Sequence, residues 1–178
     1  DLYRNGLQRA RFLPAIALIN QNCDIVNVDS GVDYRLRTLE KAEIYHHPLD
    51  AQAQKNLDQY FTQLSCDPRT YNQDIEIENR NINTLAEADS VLMVDFTELC
   101  DGPRSQVDYM EISKIYHTVL LANVKQMGQA NDDMARRFIA MVDEFYERNI
   151  TLIISAEVAM QELYSGGMLT FEFKRCLS

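Results

Sequence analysis

Thr118-Val119-Leu120-Leu121 and Ile150-Thr151-Leu152-Ile153-Ile154 are the two runs on which the fold turns. Each is short, apolar and bounded by polar residues, as expected of a strand buried on both faces. Between them, from Asp132 to Arg148, Met134, Phe138, Met141, Val142 and Phe145 recur at helical spacing. Asp132 is expected to cap that helix. One step toward the amino end, Arg104 to Tyr116 is also expected to be helical, with Tyr109, Ile112 and Tyr116 on one face. Val91-Leu92-Met93-Val94 before it reads as another buried strand. Continuous apolar strands separated by helices predict an α/β fold, a largely parallel sheet with covering helices joined by right-handed crossovers.

Further out the pattern changes. Asp74-Ile75-Glu76-Ile77-Glu78 alternates with its acids on the outer face, and Asn79 to Ser90 is expected to turn the chain back. Together these predict a small antiparallel strand unit in the middle of the chain. Asp50 can cap a helix to about Leu64, because Ala53, Leu57, Tyr60, Phe61 and Leu64 form one apolar stripe. Ser65 to Asn72, with Pro68 and no periodicity, reads as a loop. Ala42 to His47 reads as a short strand stopped by Pro48, and Cys23 to Asp29 alternates as a strand does. Nearest the amino end, Pro14 suits the first position of a helix whose buried body is Ile16, Leu18 and Ile19.

The 178 residues carry a formal net charge of -10, with a pI near 4.7. So acidic a surface gains little from counterion release, which argues against nucleic acid as a partner. Arg4, Arg9, Arg11, Arg35, Arg37 and Lys41 reverse the balance in the N-terminal part. That asymmetry suits either a head-to-tail oligomer or a solvated charged face. Cys23, Cys66, Cys100 and Cys176 are too scattered for a disulfide framework or a zinc site, and Cys100 reads as a small buried hydrophobe. No apolar run is long enough for a membrane helix and no signal-peptide pattern is present, so a cytoplasmic location is expected.

Chemistry-bearing patterns are few. None of Gly6, Gly31, Gly102, Gly128, Gly166 or Gly167 leads into a phosphate-cradling G-x-x-x-x-G-K-[ST] loop. Ile139-Ala140-Met141-Val142-Asp143-Glu144 matches a Walker B string, but its helical period predicts a helix. Asp143 and Glu144 are then solvated or salt-bridged. Asp95, which ends the Val91 strand, has no glutamate after it and reads as structural. His46 and His47 are adjacent on a strand and point to opposite faces, which argues against a shared metal. Ser105, Ser113 and Ser155 show no spacing suggestive of a triad. Asp108 falls in the first turn of a helix, where it favours the dipole.

Four pieces carry a resemblance. They are Leu2-Tyr3-Arg4-Asn5-Gly6-Leu7-Gln8-Arg9-Ala10-Arg11-Phe12-Leu13-Pro14 with its continuation to Ile19, Val28 to Arg37, Phe96-Thr97-Glu98-Leu99-Cys100, and Arg136-Arg137-Phe138 through Glu147. In order and over the whole chain they resemble the ZapE family of bacterial division ATPases, a branch of the AAA+ ATPases with mitochondrial relatives. The resemblance implies that residues 1–49 form the distal end of an AAA+ core. Residues 50–178 would form a C-terminal α/β region, β-rich at 73–96. It implies an enzyme that binds ATP and Mg and hydrolyses ATP at the division ring, with an FtsZ-type division protein as partner and with self-association. Arg11, or else Arg9, would be the arginine finger reaching a neighbour's triphosphate; solvated surface arginines are the other reading. Arg136 and Arg137 would be lid-side sensor arginines, unless they simply pair with Asp132 and Asp133, and Arg175 is a third candidate. The alternative function is a nucleotide-independent protein-binding module using Asp74, Glu76, Glu78 and exposed tyrosines. With no Walker A or Walker B elements between Asp1 and Ser178, the chain is expected not to turn over ATP by itself. A malachite-green assay on this fragment should show no phosphate release above background.

Overall fold

The computed structural model describes residues 9–24 and 44–177. The chain divides into two compact units, Asp1–Asp33 and Tyr34–Ser178. In the first unit, helix α1 spans Arg9–Asn22 with Pro14 inside it. The helix therefore starts before the proline rather than at it. Pro14 lacks the N–H that would bond the Ala10 carbonyl, but Ala10, Arg11, Phe12, Leu13 and Pro14 are exposed, where water can meet that group. The expected buried body is not observed: Leu18 is 61% and Ile19 38% exposed, and Ile16 is half-buried. The strand expected at Cys23 to Asp29 falls largely outside the described residues.

The second unit opens with β1 (Tyr45–His46) and α2 (Ala51–Leu64), then β2 (Thr70–Tyr71), β3 (Asp74–Ile77), β4 (Arg80–Ala88) and β5 (Val91–Asp95). After them come α3 (Phe96–Cys100), α4 (Gln106–Ile115), β6 (Thr118–Val124), α5 (Asp132–Glu147), β7 (Thr151–Ala156) and α6 (Thr170–Cys176). The strands form a seven-stranded sheet in the order β1-β7-β6-β5-β4-β2, with β3 also paired to β4. β1, β7, β6 and β5 are mutually parallel, while β4 runs antiparallel to β5, β2 and β3. The mixed sheet is thus the expected α/β fold, with the antiparallel unit continuous with the parallel one.

Alternate residues of the central strands feed two layers, as the two-residue period of a strand requires. Val91 and Met93 of β5, with Leu120 and Ala122 of β6, pack against Leu57, Phe61 and Leu64 of α2. Leu92, Val94, Val119 and Leu121 pack on the other face against Phe96, Leu99, Tyr109, Ile112, Phe138 and Phe145. Asp50 caps α2 as expected, its Oδ1 accepting from the Gln52 and Ala53 N–H groups at 2.9 Å. On α5 the predicted Phe138, Met141 and Phe145 are buried together with Ala135 and Ile139, while Met134 and Val142 are only half-buried.

Several expectations are corrected. Residues 80–88 do not merely turn the chain back; they form β4, a nine-residue strand. The turn is the pair Glu78 and Asn79, at φ 50° and 58°, the left-handed geometry of a tight hairpin turn. A register shift between Thr84 and Ala86 turns the pleat over. Ile82 therefore joins the layer with Leu92 and Val94, whereas Ala86 and Ala88 lie under α2. The loop read at Ser65 to Asn72 contains β2. Asp132 is the first residue of α5 rather than its cap, which is Asn131. α4 begins at Gln106, two residues later than Arg104. Phe61 is fully buried at the centre of the α2 layer, so Phe61→Ala should cost about 3–5 kcal/mol of stability. Urea or thermal unfolding measures this directly.

Candidate functional site

In open parallel sheets ligands meet the carboxyl ends of the strands. At that edge Asp95 ends β5 and caps α3, its Oδ1 accepting from the Thr97 N–H at 2.9 Å and the Thr97 hydroxyl at 2.6 Å. Its Oδ2 accepts from Asn123 Nδ2 at 2.7 Å, and the Asn123 N–H donates to Ser155 Oγ at 3.1 Å. Oδ1 of Asp95 thus caps α3 and Oδ2 ties the ends of β5 and β6 together, the structural role read from the sequence. The Walker B look-alike lies inside α5, as its period predicts. Asp143 Oδ2 accepts from Arg175 Nη2 at 2.7 Å. Glu144 is buried and accepts from Arg148 Nε at 2.5 Å and Gln106 Nε2 at 3.0 Å.

Asp108 is fully buried and carries more than a dipole contact. Arg80 Nη2 donates to both its oxygens at 2.7 Å, and Ser105 adds its N–H at 2.7 Å and its hydroxyl at 2.9 Å. Tyr109 donates its hydroxyl to the Leu99 carbonyl at 2.8 Å, and burial pushes the phenol up from its ordinary value. The Asp108-Tyr109 pair therefore pins α4 to the β3–β4 hairpin and to α3. Cys100 is buried, and burial likewise pushes its thiol up, as befits an inert small hydrophobe.

The arginines fall at separate places. Arg9 and Arg11 lie in the first turn of α1, and Arg11 is exposed. Arg137 lines a cleft of about 580 Å³ with Asp101, Asp132, Asp133, Met134 and Met168, and its Nη1 donates to the Cys100 carbonyl at 3.3 Å. Arg136, the next residue on α5, lines a different groove of about 330 Å³ with Gln106, Asp143 and Glu172. Arg175 does not line that groove itself but donates to Asp143, which does. Among the described residues neither Arg136 nor Arg137 is ion-paired with Asp132 or Asp133; Asp132 instead accepts from the Tyr164 hydroxyl at 2.6 Å. The cleft around Arg137 was not legible in the sequence, because its acids arrive from the segments that follow two different strands. His46 is buried between Asp50 at 3.2 Å and Asn56 at 3.0 Å, and His47 is exposed. Among the described residues no cluster of His, Cys, Asp and Glu could hold a metal, and no helix is long and apolar enough to cross a membrane.

The pattern of the AFG1-like ATPases matches residues 1–178. The chain belongs to the AFG1-like ATPase family. Within that family it is 49% identical to the cell division protein ZapE of Escherichia coli K12, over 100% of this chain and 48% of that protein. Lactation elevated protein 1 homolog B of Danio rerio is 30% identical over 182 residues, covering 98% of this chain and 35% of that protein. The chain thus spans about half the length of the bacterial relative. No solved structure matches it. The family assignment agrees with the resemblance carried by the arginine-bearing strings.

Glu144 yields a pH test. The hydrogen bond from Arg148, then that from Gln106, holds its carboxyl below the ordinary glutamate value despite burial. A lowered folded value means the contribution is present above the unfolded pKa, about 4.3, and is lost as pH falls through the folded value. Glu144→Gln should therefore flatten the acid limb of the stability curve below about pH 4.5. Melting temperatures across that limb report the difference.

Proposed function

We propose that this chain is the C-terminal portion of an AAA+ ATPase that couples ATP hydrolysis to remodelling at the bacterial division ring. In this reading Arg11, with Arg9 as second choice, acts in trans on a triphosphate held by a neighbouring copy. The full-length family match supports it, together with the exposure of Arg11 on α1. The E. coli relative is named a cell division protein, and the reading takes an FtsZ-type protein as the substrate of remodelling, in the cytoplasm. Self-association follows, because a guanidinium acting in trans needs a neighbour. Residues 1–49 would end the ATPase core and residues 50–178 would form the body attached to it, with Arg136, Arg137 and Arg175 as candidate lid-side contacts.

The described residues do not themselves fit ATP and magnesium as resident ligands. They include no metal-binding cluster, and the sequence has no glycine-rich phosphate loop. The amino end of α5, a possible anion site, already carries Asp132 and Asp133 in its first turn. What the chain offers is a cation for charge that develops elsewhere. Arginine fingers are worth roughly 10³–10⁵ in rate.

A second reading is a binding module that works without nucleotide. Tyr71 at 56% and Tyr146 at 83% exposure favour it, as do the outward acids Asp74 and Glu76 on β3. The two readings separate in a full-length AFG1-like ATPase carrying this segment. Arg11→Ala should lower turnover roughly 10³-fold or more while ATP binding persists. Turnover within a few-fold of the parent protein would defeat the in-trans arginine.

A further inference from the structure

We infer that the groove between α5 and α6 binds a free α-amino acid with a short aliphatic side chain, its ammonium on Glu172 and its carboxylate on Arg136. This is the groove of about 330 Å³ that those two residues line together with Ile139, Ala140 and Leu169. The inference goes beyond the ATPase reading and does not rest on Arg11.

The observation that calls for a ligand is at Glu172. Its Oε2 is buried and accepts no hydrogen bond among the described residues. One other buried side-chain polar atom among them is in that state, Nη1 of Arg104, but its guanidinium is already held by the Glu98 and Asn81 carbonyls. Taking a carboxylate oxygen out of water without a donor is costly, and a charged donor offsets that cost best. The neighbouring donors are engaged elsewhere. Arg175 donates to Asp143 at 2.7 Å, and Gln106 Nε2 to Glu144 at 3.0 Å. The Leu169 N–H, which an acid at the third position of a helix commonly meets, donates instead to the Tyr164 hydroxyl at 3.2 Å.

Arg136 brings the opposite charge to the same groove, yet no ion pair joins it to Glu172. It is exposed and makes no hydrogen bond among the described residues. Two charges of opposite sign, unpaired and set on one apolar wall, match a small ligand that carries both signs. A bare cation would satisfy Glu172 alone, and a bare anion Arg136 alone. The guanidinium fork suits a carboxylate, and the ammonium is the charged donor that Oε2 lacks. Ile139 and Leu169 are buried and Ala140 is half-buried, which leaves a shallow apolar seat for an aliphatic side chain. A few polar groups set against such a lining are the usual composition of a small-molecule site.

Isothermal titration of the whole chain with L-leucine tests this. L-leucine should bind saturably at concentrations up to about 10 mM. L-leucinamide keeps the ammonium and lacks the carboxylate, while N-acetyl-L-leucine keeps the carboxylate and lacks the ammonium. Each should bind roughly tenfold or more weakly, the loss expected for one charged hydrogen bond. Glu172→Gln should weaken L-leucine by a similar factor and leave N-acetyl-L-leucine unchanged, because that compound has no ammonium to lose a partner. Arg136→Gln should weaken L-leucine and leave L-leucinamide unchanged. Lys55→Gln, which removes an exposed cation on α2, should change nothing. Circular dichroism melts confirm that each variant is folded, and the three-compound series on the parent chain does not depend on the variants. Absence of saturable binding, either companion binding as tightly as L-leucine, or equal weakening by Lys55→Gln would each overturn the inference. No turnover is measured, so the in-trans arginine is decided separately.

Discussion

Everything in the larger unit depends on β6 being covered from both sides. Its alternate side chains enter two different apolar layers, Val119 and Leu121 in one, Leu120 and Ala122 in the other. A strand so placed exposes no edge, because β5 and β7 pair with it along its length. It also forces its neighbours to be helices on each face, since a sheet this apolar would otherwise leave hydrocarbon in water. Among the described residues α2 covers one side, while α3, α4, α5 and α6 share the other. The uneven division places α5, the longest helix among the described residues, on the second side.

Polar anchoring follows from that arrangement. A helix on an apolar sheet can slide unless something directional fixes it. Asp108 fixes α4 to the hairpin through Arg80, Glu144 fixes α5 to α4 through Gln106, and Asp95 fixes the ends of β5 and β6 through Asn123. Buried carboxylates such as Asp108 and Glu144 favour one arrangement over near neighbours because an unpaired partner would be costly to bury. The Phe96 to Cys100 string, which carries part of the family resemblance, forms α3 and receives the Tyr109 hydroxyl at the Leu99 carbonyl, so it belongs to this framework.

Much of the fold could be read from the chain because local and tertiary preferences agree. α2 has an acid cap and a single apolar stripe, and β5, β6 and β7 are short apolar runs. β4 was harder. Asn81, Asn83, Ala86 and Ala88 are weak strand formers, and the buried alanines are chosen by the close approach of α2, which no local window reveals. The start of α1 was misplaced because Pro14 is tolerated inside a helix whose flank faces water. The site was less legible than the fold. Arg136 and Arg137 are adjacent in sequence, yet on a helix adjacent residues point about 100° apart, and they reach different grooves. The pairing of Arg175 with Asp143 joins residues on two helices and has no local signal.

The two tight turns have a consequence for how the sheet is built. Ile77 and Arg80 pair across Glu78-Asn79, and Ala88 and Val91 pair across Asp89-Ser90. The meander β3-β4-β5 thus closes over the shortest loops in the sheet, whereas β5 to β6 and β6 to β7 must each first traverse a helical crossover. Loop-closure entropy rises with the length closed, and non-local pairing is slow. Loop closure therefore favours the meander as the seed and β5 as the template edge on which β6 and then β7 can assemble, each with the helix that covers it, while β1, first in sequence, can pair only once β7 is in place.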